Sequence, residues 1–187
     1  LVAYTDGSRV LDMTFSDIDG PLDVRGMATD FSKYSNRPEV FLYLKEFKEK
    51  VLSQYNCVSI GEVGGNANTE AAIEYAGYDS GPLNMVFTFD HCWENGLYNA
   101  DHNSVSQVNV INLKKIFLKW YEDLKGKAWN ATYWLNHDHP RLVSHYGNDH
   151  QYHSESAKML YNTLYFMYGT PFIYNGEEIG MTNVDYD

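Results

Sequence analysis

The chain has 187 residues and a formal net charge of −11, with 25 acidic side chains against 14 Lys and Arg. A surface this acidic repels phosphates, so neither nucleic acid nor an anionic membrane is expected as a partner. No run approaches the roughly 20 apolar residues of a membrane helix, and a cytoplasmic location is the expectation.

Two cysteines, Cys57 and Cys92, are too few for a disulfide framework and lack metal-ligand spacing, so buried free thiols are expected. No metal site or cofactor is expected. The 16 tyrosines and 4 tryptophans suit a site that stacks neutral sugar rings, and equally an aromatic core.

Residues 1–12 read as a strand end followed by a charged mouth, with Arg9 and Asp12 close together. Residues 13–36 mix Asp, Gly, Ser, Pro and Asn without sustained period, the pattern of a long loop. Pro38 opens a helix in which Val40, Phe41, Leu44, Phe47, Val51 and Leu52 recur at helical spacing. The intervening Lys45, Glu46, Lys48, Glu49 and Lys50 are expected to face solvent.

A strand over 58–65 runs from Val58 into Glu62, flanked by glycines that let backbone and ligand come close. Asn68 or Thr69 then caps a short helix. After a turn over 77–82, Leu83 to His91 forms the next strand, again ending in polar groups. His91 either touches substrate or buttresses a residue that does. A polar loop over 92–106 precedes a helix carrying Leu113, Ile116, Phe117 and Trp120, which ends near Gly126. Asn130-Ala131-Thr132 matches a glycosylation acceptor, but at a strand entrance the match is coincidental.

The next strand begins at Ala131 and runs into Asn136-His137-Asp138-His139-Pro140-Arg141, polar groups that a buried strand cannot hold and that must sit at its mouth. Pro140 stops the strand. From Glu155, Met159, Leu160, Thr163, Leu164, Phe166 and Met167 make an apolar helix whose methionines are expected in the core. Gly169 and Pro171 break it, Phe172 to Tyr174 form the last strand, and Glu177 and Glu178 follow at its mouth. Strands ending in carboxylates and separated by helical sequence suggest a parallel α/β sheet whose C-terminal edge carries acids.

The stretches GEV (61–63), NHDHPR (136–141) and GTPFIYNGEEIGM (169–181) resemble the α-amylase superfamily, glycoside hydrolase family thirteen. Residues 143–149 and 156–160 read like its group of oligo-1,6-glucosidases, dextran glucosidases and trehalose-6-phosphate hydrolases. The similarity is dense from about residue 36 onward. The fold it implies is α/β, the C-terminal half of a (β/α)8 TIM barrel, with residues 1–187 supplying strands four to eight. A complete barrel takes about 250 residues, so the remaining half is an expected partner.

The resemblance implies a retaining, exo-acting α-glucosidase on α-1,6 or α-1,4 bonds of short oligosaccharides. Such an enzyme needs two carboxyl groups about 5–5.5 Å apart. Glu62 is similar to the family's general acid/base, whose pKa must be raised by burial or neighbouring carboxylates. Asp138 resembles the third acid, which binds sugar hydroxyls, and His137 stands beside it as a donor to the same hydroxyls. Asp12 is the candidate nucleophile, with Arg9 holding it ionised. That motif departs from the family pattern, with Ser8 for an aromatic residue and one extra residue before the acid, and Asp19 is a rival. Arg141 either orients the Asp138 loop or reaches the glycone. Glu177 and Glu178 support the site from outside it. Two other readings stand beside this one: a catalytically silent relative serving as a binding or transporter-partner subunit, and a transglycosylase or isomerase cousin.

Overall fold

The computed structural model describes residues 35–64, 67–93 and 108–184. Arg9, Asp12, Asp19, the first strand, nearly all of the 13–36 loop and most of the 92–106 loop lie outside the described residues.

Helix α1 (Pro38–Lys50) starts on a proline, whose fixed φ suits the first turn and whose missing N–H costs nothing there. Its row is less buried than its period predicts. Phe41 is buried and Val40 and Leu44 pack beside it, whereas Phe47 and Val51 are exposed. Lys48, expected in solvent, instead donates from Nζ to the Gly81 carbonyl at 2.7 Å and ties α1 to a turn. Cys57 is exposed rather than buried, and Cys92 is intermediate.

Strand β1 (Ile60–Glu62) pairs in parallel with β2 (Met85–Phe87), Glu62 lying opposite Phe87. Between them runs α2 (Thr69–Ala76), capped by Asn68, whose Oδ1 accepts from Ala71 N at 3.0 Å. A Cβ on Gly61 would stand 2.6 Å from Leu83 Cδ1, so the glycine lets this close layer form.

Helix α3 (Val110–Leu124) leads to β3 (Ala131–Thr132), and α4 (Leu142–Tyr146) and α5 (His153–Tyr165) lead on to β4 (Thr170–Pro171). The last strand thus starts earlier than its sequence suggests, and Pro171 lies inside it. Thr170 N donates to Asn130 O and Phe172 N to Thr132 O, at 2.9 and 2.8 Å. In a parallel pair only alternate residues bond to a given neighbour, so the nitrogen of Pro171 faces away from β3 and no ladder bond is lost.

Strands β2 and β3 lie against each other. Phe87 fastens the two pairs: its ring meets Tyr133 edge-on at 5.2 Å and Phe172 at 4.8 Å. Among the described residues two clusters form the core. One joins Phe41, Ala72, Tyr75, Val86, Trp120 and Leu124; the other joins Trp134, Leu135, Leu142, Val143, Leu160 and Leu164. On α5 the buried stripe is Ala157, Leu160 and Leu164, while Met159 is 52% exposed and Phe166, just past the helix, 90%. The methionines are therefore not all core: Met159 projects from the flank of the helix. Among the described residues, no helix is long and apolar enough to cross a membrane.

Candidate active site

Polar side chains gather where β1, β2 and β3 end. Glu62 closes β1, and the next residue, Val63, is buried and donates its N–H to Phe87 O at 3.1 Å. The chain is thereby held down beyond the strand while Glu62 stays exposed. Strand β2 stands between the strand of Glu62 and that of Asp138, so the two acids do not leave adjacent strands.

Tyr133 links them. Its ring packs edge-on against Phe87, Phe89 and His91. Burial drives its phenol far above the usual range, with Cys92, Glu62 and Tyr146 adding to the effect. The ring therefore stays neutral and lies within electrostatic reach of the Glu62 carboxylate.

After β3 the chain turns on Asn136, whose Oδ1 accepts from Asp138 N at 2.9 Å and whose carbonyl accepts from His139 N at 3.3 Å. This side-chain turn sets out the two groups the sequence singled out. His137 Nε2 lies 3.5 Å from Asp138 Oδ2, with side chains 70% and 49% exposed. Both are open to a ligand. His139 turns inward, its ring 6.2 Å from that of Phe89, and burial lowers its pKa against the pull of Asp138.

His91 lies inside. It is buried, packed between Tyr133 at 4.9 Å and Phe117 at 5.9 Å, and its Nε2 meets Cys92 Sγ at 3.4 Å. Burial pushes its imidazole down to about 3, helped by His139, so it is neutral. Packed in this way, its ring supports that of Tyr133.

Arg141 joins the Asp138 loop to the mouth of β4. Its backbone N donates to Asn183 Oδ1 at 2.8 Å and its Nη1 to Asn175 O at 2.5 Å, while its guanidinium lies 5.3 Å over the Tyr174 ring. Asn183 N in turn donates to Ser144 Oγ at 2.9 Å. Gly176, at φ +91°, makes the turn that follows, and a side chain there would be strained. Glu177 is 1% exposed; its Oε2 accepts from Tyr174 N at 2.7 Å. Burial lifts its pKa to about 7, against the Tyr174 hydrogen bond and Arg141.

Tyr133 and Asn183 escaped the sequence reading. Tyr133 read as one more apolar strand residue, and only the alternation with Trp134 hinted that it faces the other side. Asn183 carries no local signal. Among the described residues, no group of three His, Cys, Asp or Glu stands close enough to hold a metal.

The profile described as "Alpha amylase, catalytic domain" matches residues 12–187. The oligo-1,6-glucosidase of Bacillus cereus is 42% identical over 166 residues, which cover 87% of this chain and 29% of that protein. A probable oligo-1,6-glucosidase of Bacillus subtilis strain 168 is 42% identical over 151 residues, or 81% of this chain and 27% of that protein. Among solved structures, the trehalose-6-phosphate hydrolase of Bacillus licheniformis superposes with a TM-score of 0.74 at 38% identity, over 86% of this chain and 28% of its own. A mutant isomaltulose synthase of Erwinia rhapontici, with glucose bound, gives 0.75 at 31% identity over 85% and 28%. The chain thus spans well under a third of the length of these relatives. With a profile match over nearly its whole length, it belongs to the α-amylase catalytic-domain family, and its alternating strands and helices are a portion of that family's (β/α)8 barrel.

Proposed function

We propose that the chain is the part of a retaining α-glucosidase that carries its acid/base, and that the whole enzyme cleaves α-1,6 or α-1,4 bonds of short oligosaccharides by double displacement. The reading rests chiefly on Glu62 at the mouth of β1 and the exposed His137–Asp138 pair after β3, in a chain about 40% identical to oligo-1,6-glucosidases. Glu62 protonates the leaving oxygen and then activates water. Asp12 attacks the anomeric carbon, with Arg9 keeping it ionised. Asp138 and His137 hold sugar hydroxyls and favour the oxocarbenium-like state. His91, buried and neutral, steadies Tyr133 beneath them, and Arg141 holds the loop.

Turnover requires the rest of the barrel, because unpaired strand edges and an uncovered core leave a partial barrel incomplete. A cytoplasmic location belongs to the same proposal; among the described residues no helix is long and apolar enough to cross a membrane.

The likeness to an isomaltulose synthase favours a second reading, transfer of the glucosyl unit instead of hydrolysis. One experiment separates them: full-length protein given isomaltose, maltose, sucrose and trehalose 6-phosphate, with anomeric products followed by NMR. Hydrolysis of isomaltose or maltose with α-glucose appearing first supports the glucosidase. A sucrose isomer as main product supports transfer. No turnover of any of them means a silent relative.

A further inference from the structure

Glu177 is a buried carboxyl whose two oxygens are treated unequally. Oε2 accepts from Tyr174 N at 2.7 Å, whereas Oε1, equally buried, meets no donor. Such a group is costly to keep charged unless a cation stands near. The cation present is Arg141, which also grips Asn175 O and covers the Tyr174 ring, that is, the turn on which Glu177 sits. Arg141 is at the same time the last residue of the 136–141 loop, pinned to Asn183 by its backbone.

We infer that Glu177 is a positioning residue: its negative charge, acting through Arg141, holds the loop that presents His137 and Asp138. The role assigned to those two residues rests on the proposed glucosidase; the mechanical link does not.

The titratable groups facing Glu177 set its sign. From the N-terminus of α4 comes Arg141, which favours the charged form. From its own turn comes Glu178, which opposes it while accepting from Gly176 N. From α5 comes Tyr161, itself pushed up to about 12 by burial and by Glu177, and so neutral throughout. His153, also on α5, has its ring on Gly180 O at 2.6 Å, at the far end of the turn. Among these, Glu177 is the group whose value burial raises to about 7. Above that pH the carboxylate and the guanidinium hold one turn with opposite charges, Glu177 at Tyr174 N and Arg141 at Asn175 O; below it the acid is neutral and Arg141 keeps only its carbonyl and ring contacts.

The test uses full-length protein and two variants, Glu177→Gln and Glu177→Asp. The first readout needs no activity: hydrogen exchange at the Arg141 amide from pH 5.5 to 8.5, corrected for intrinsic rate. Protection is expected to fall about tenfold as pH drops through 7 in the wild type. It should be low and flat in Glu177→Gln, and regain its pH dependence in Glu177→Asp. The second readout is the kcat/KM profile on isomaltose. Glu177→Gln is expected to lose the acid-side limb near pH 7 and run about tenfold below wild type at pH 8, with Glu177→Asp restoring the limb. Unchanged exchange in Glu177→Gln overturns the inference whatever the activity. Exchange that responds as expected in a protein that cleaves no glucoside upholds the link and removes the glucosidase reading instead.

Discussion

Arg141 Nη1 donates to the carbonyl of Asn175 at 2.5 Å, a bond between residues 34 positions apart that ties the mouth of β3 to the mouth of β4. The same side chain lies over Tyr174, and its backbone meets Asn183. A planar, multi-donor cation suits this clamp, and a lysine does not.

Arg141→Lys should therefore loosen the loop while keeping the charge. The expected result is a loss of about 1.5–3 kcal/mol in thermal or denaturant unfolding, the scale of hydrogen bonds to a charged group, with kcat/KM down about tenfold. A rise in KM alone, with kcat and stability unchanged, would show that Arg141 reaches the glycone instead.

Glu62 is assigned proton transfer, which typically contributes 10²–10⁴-fold. Glu62→Gln in the full-length protein should lower kcat on natural glucosides by about that factor and leave the fold intact, because the residue is exposed and terminal to its strand. Aryl glucosides with good leaving groups should suffer less in single-turnover glycosylation. An equal loss on both classes would falsify the acid/base role.

Asp12 precedes the described residues, and its assignment rests on the likeness of residues 6–12 to the family's nucleophile motif. A mechanism-based fluoroglucoside should form an ester on Asp12, found by peptide mass spectrometry. Label at Asp19 would move the nucleophile to the rival position, and no label at all would favour the silent relative.

His91 gives the stability a pH dependence with a definite sign. Its folded value is depressed to about 3 from an ordinary 6.5, so the unfolded state takes up the proton first on acidification. The stability it contributes is whole above 6.5 and is lost as pH falls from there toward 3, up to about 2 kcal/mol by pH 5. Glu177 acts oppositely: its raised value means stability is lost as pH rises from about 4.5 to 7. Chemical denaturation at pH 5 and 7 should separate the two. His91→Gln should be less stable overall yet fall less on acidification, and Glu177→Gln should fall more steeply than wild type.

Much of the architecture follows from local order in the chain. The 3.6-residue rhythm marks α1, α3 and α5. Asn68 is the cap its side chain suggests, and apolar runs ending in Glu62 and in His137–Asp138 mark strand mouths. These are statements about neighbours in sequence, and backbone geometry converts them directly into a helix face or a strand end.

What the chain could not announce is what each face meets. Phe47 and Met159 have the period of core residues and are exposed, because nothing among the described residues packs over them. His91 reads as the polar end of a strand, yet it lies in a 3-10 turn past β2, where Tyr133 and Phe117 close around it and burial keeps it neutral. Pro171 reads as a breaker and sits in β4, since only its orientation toward β3 decides whether its missing N–H matters. Burial, and every bond between distant residues such as Arg141 and Asn175, depends on which surfaces packing brings together, and that is settled only when the whole sheet and its helices are assembled.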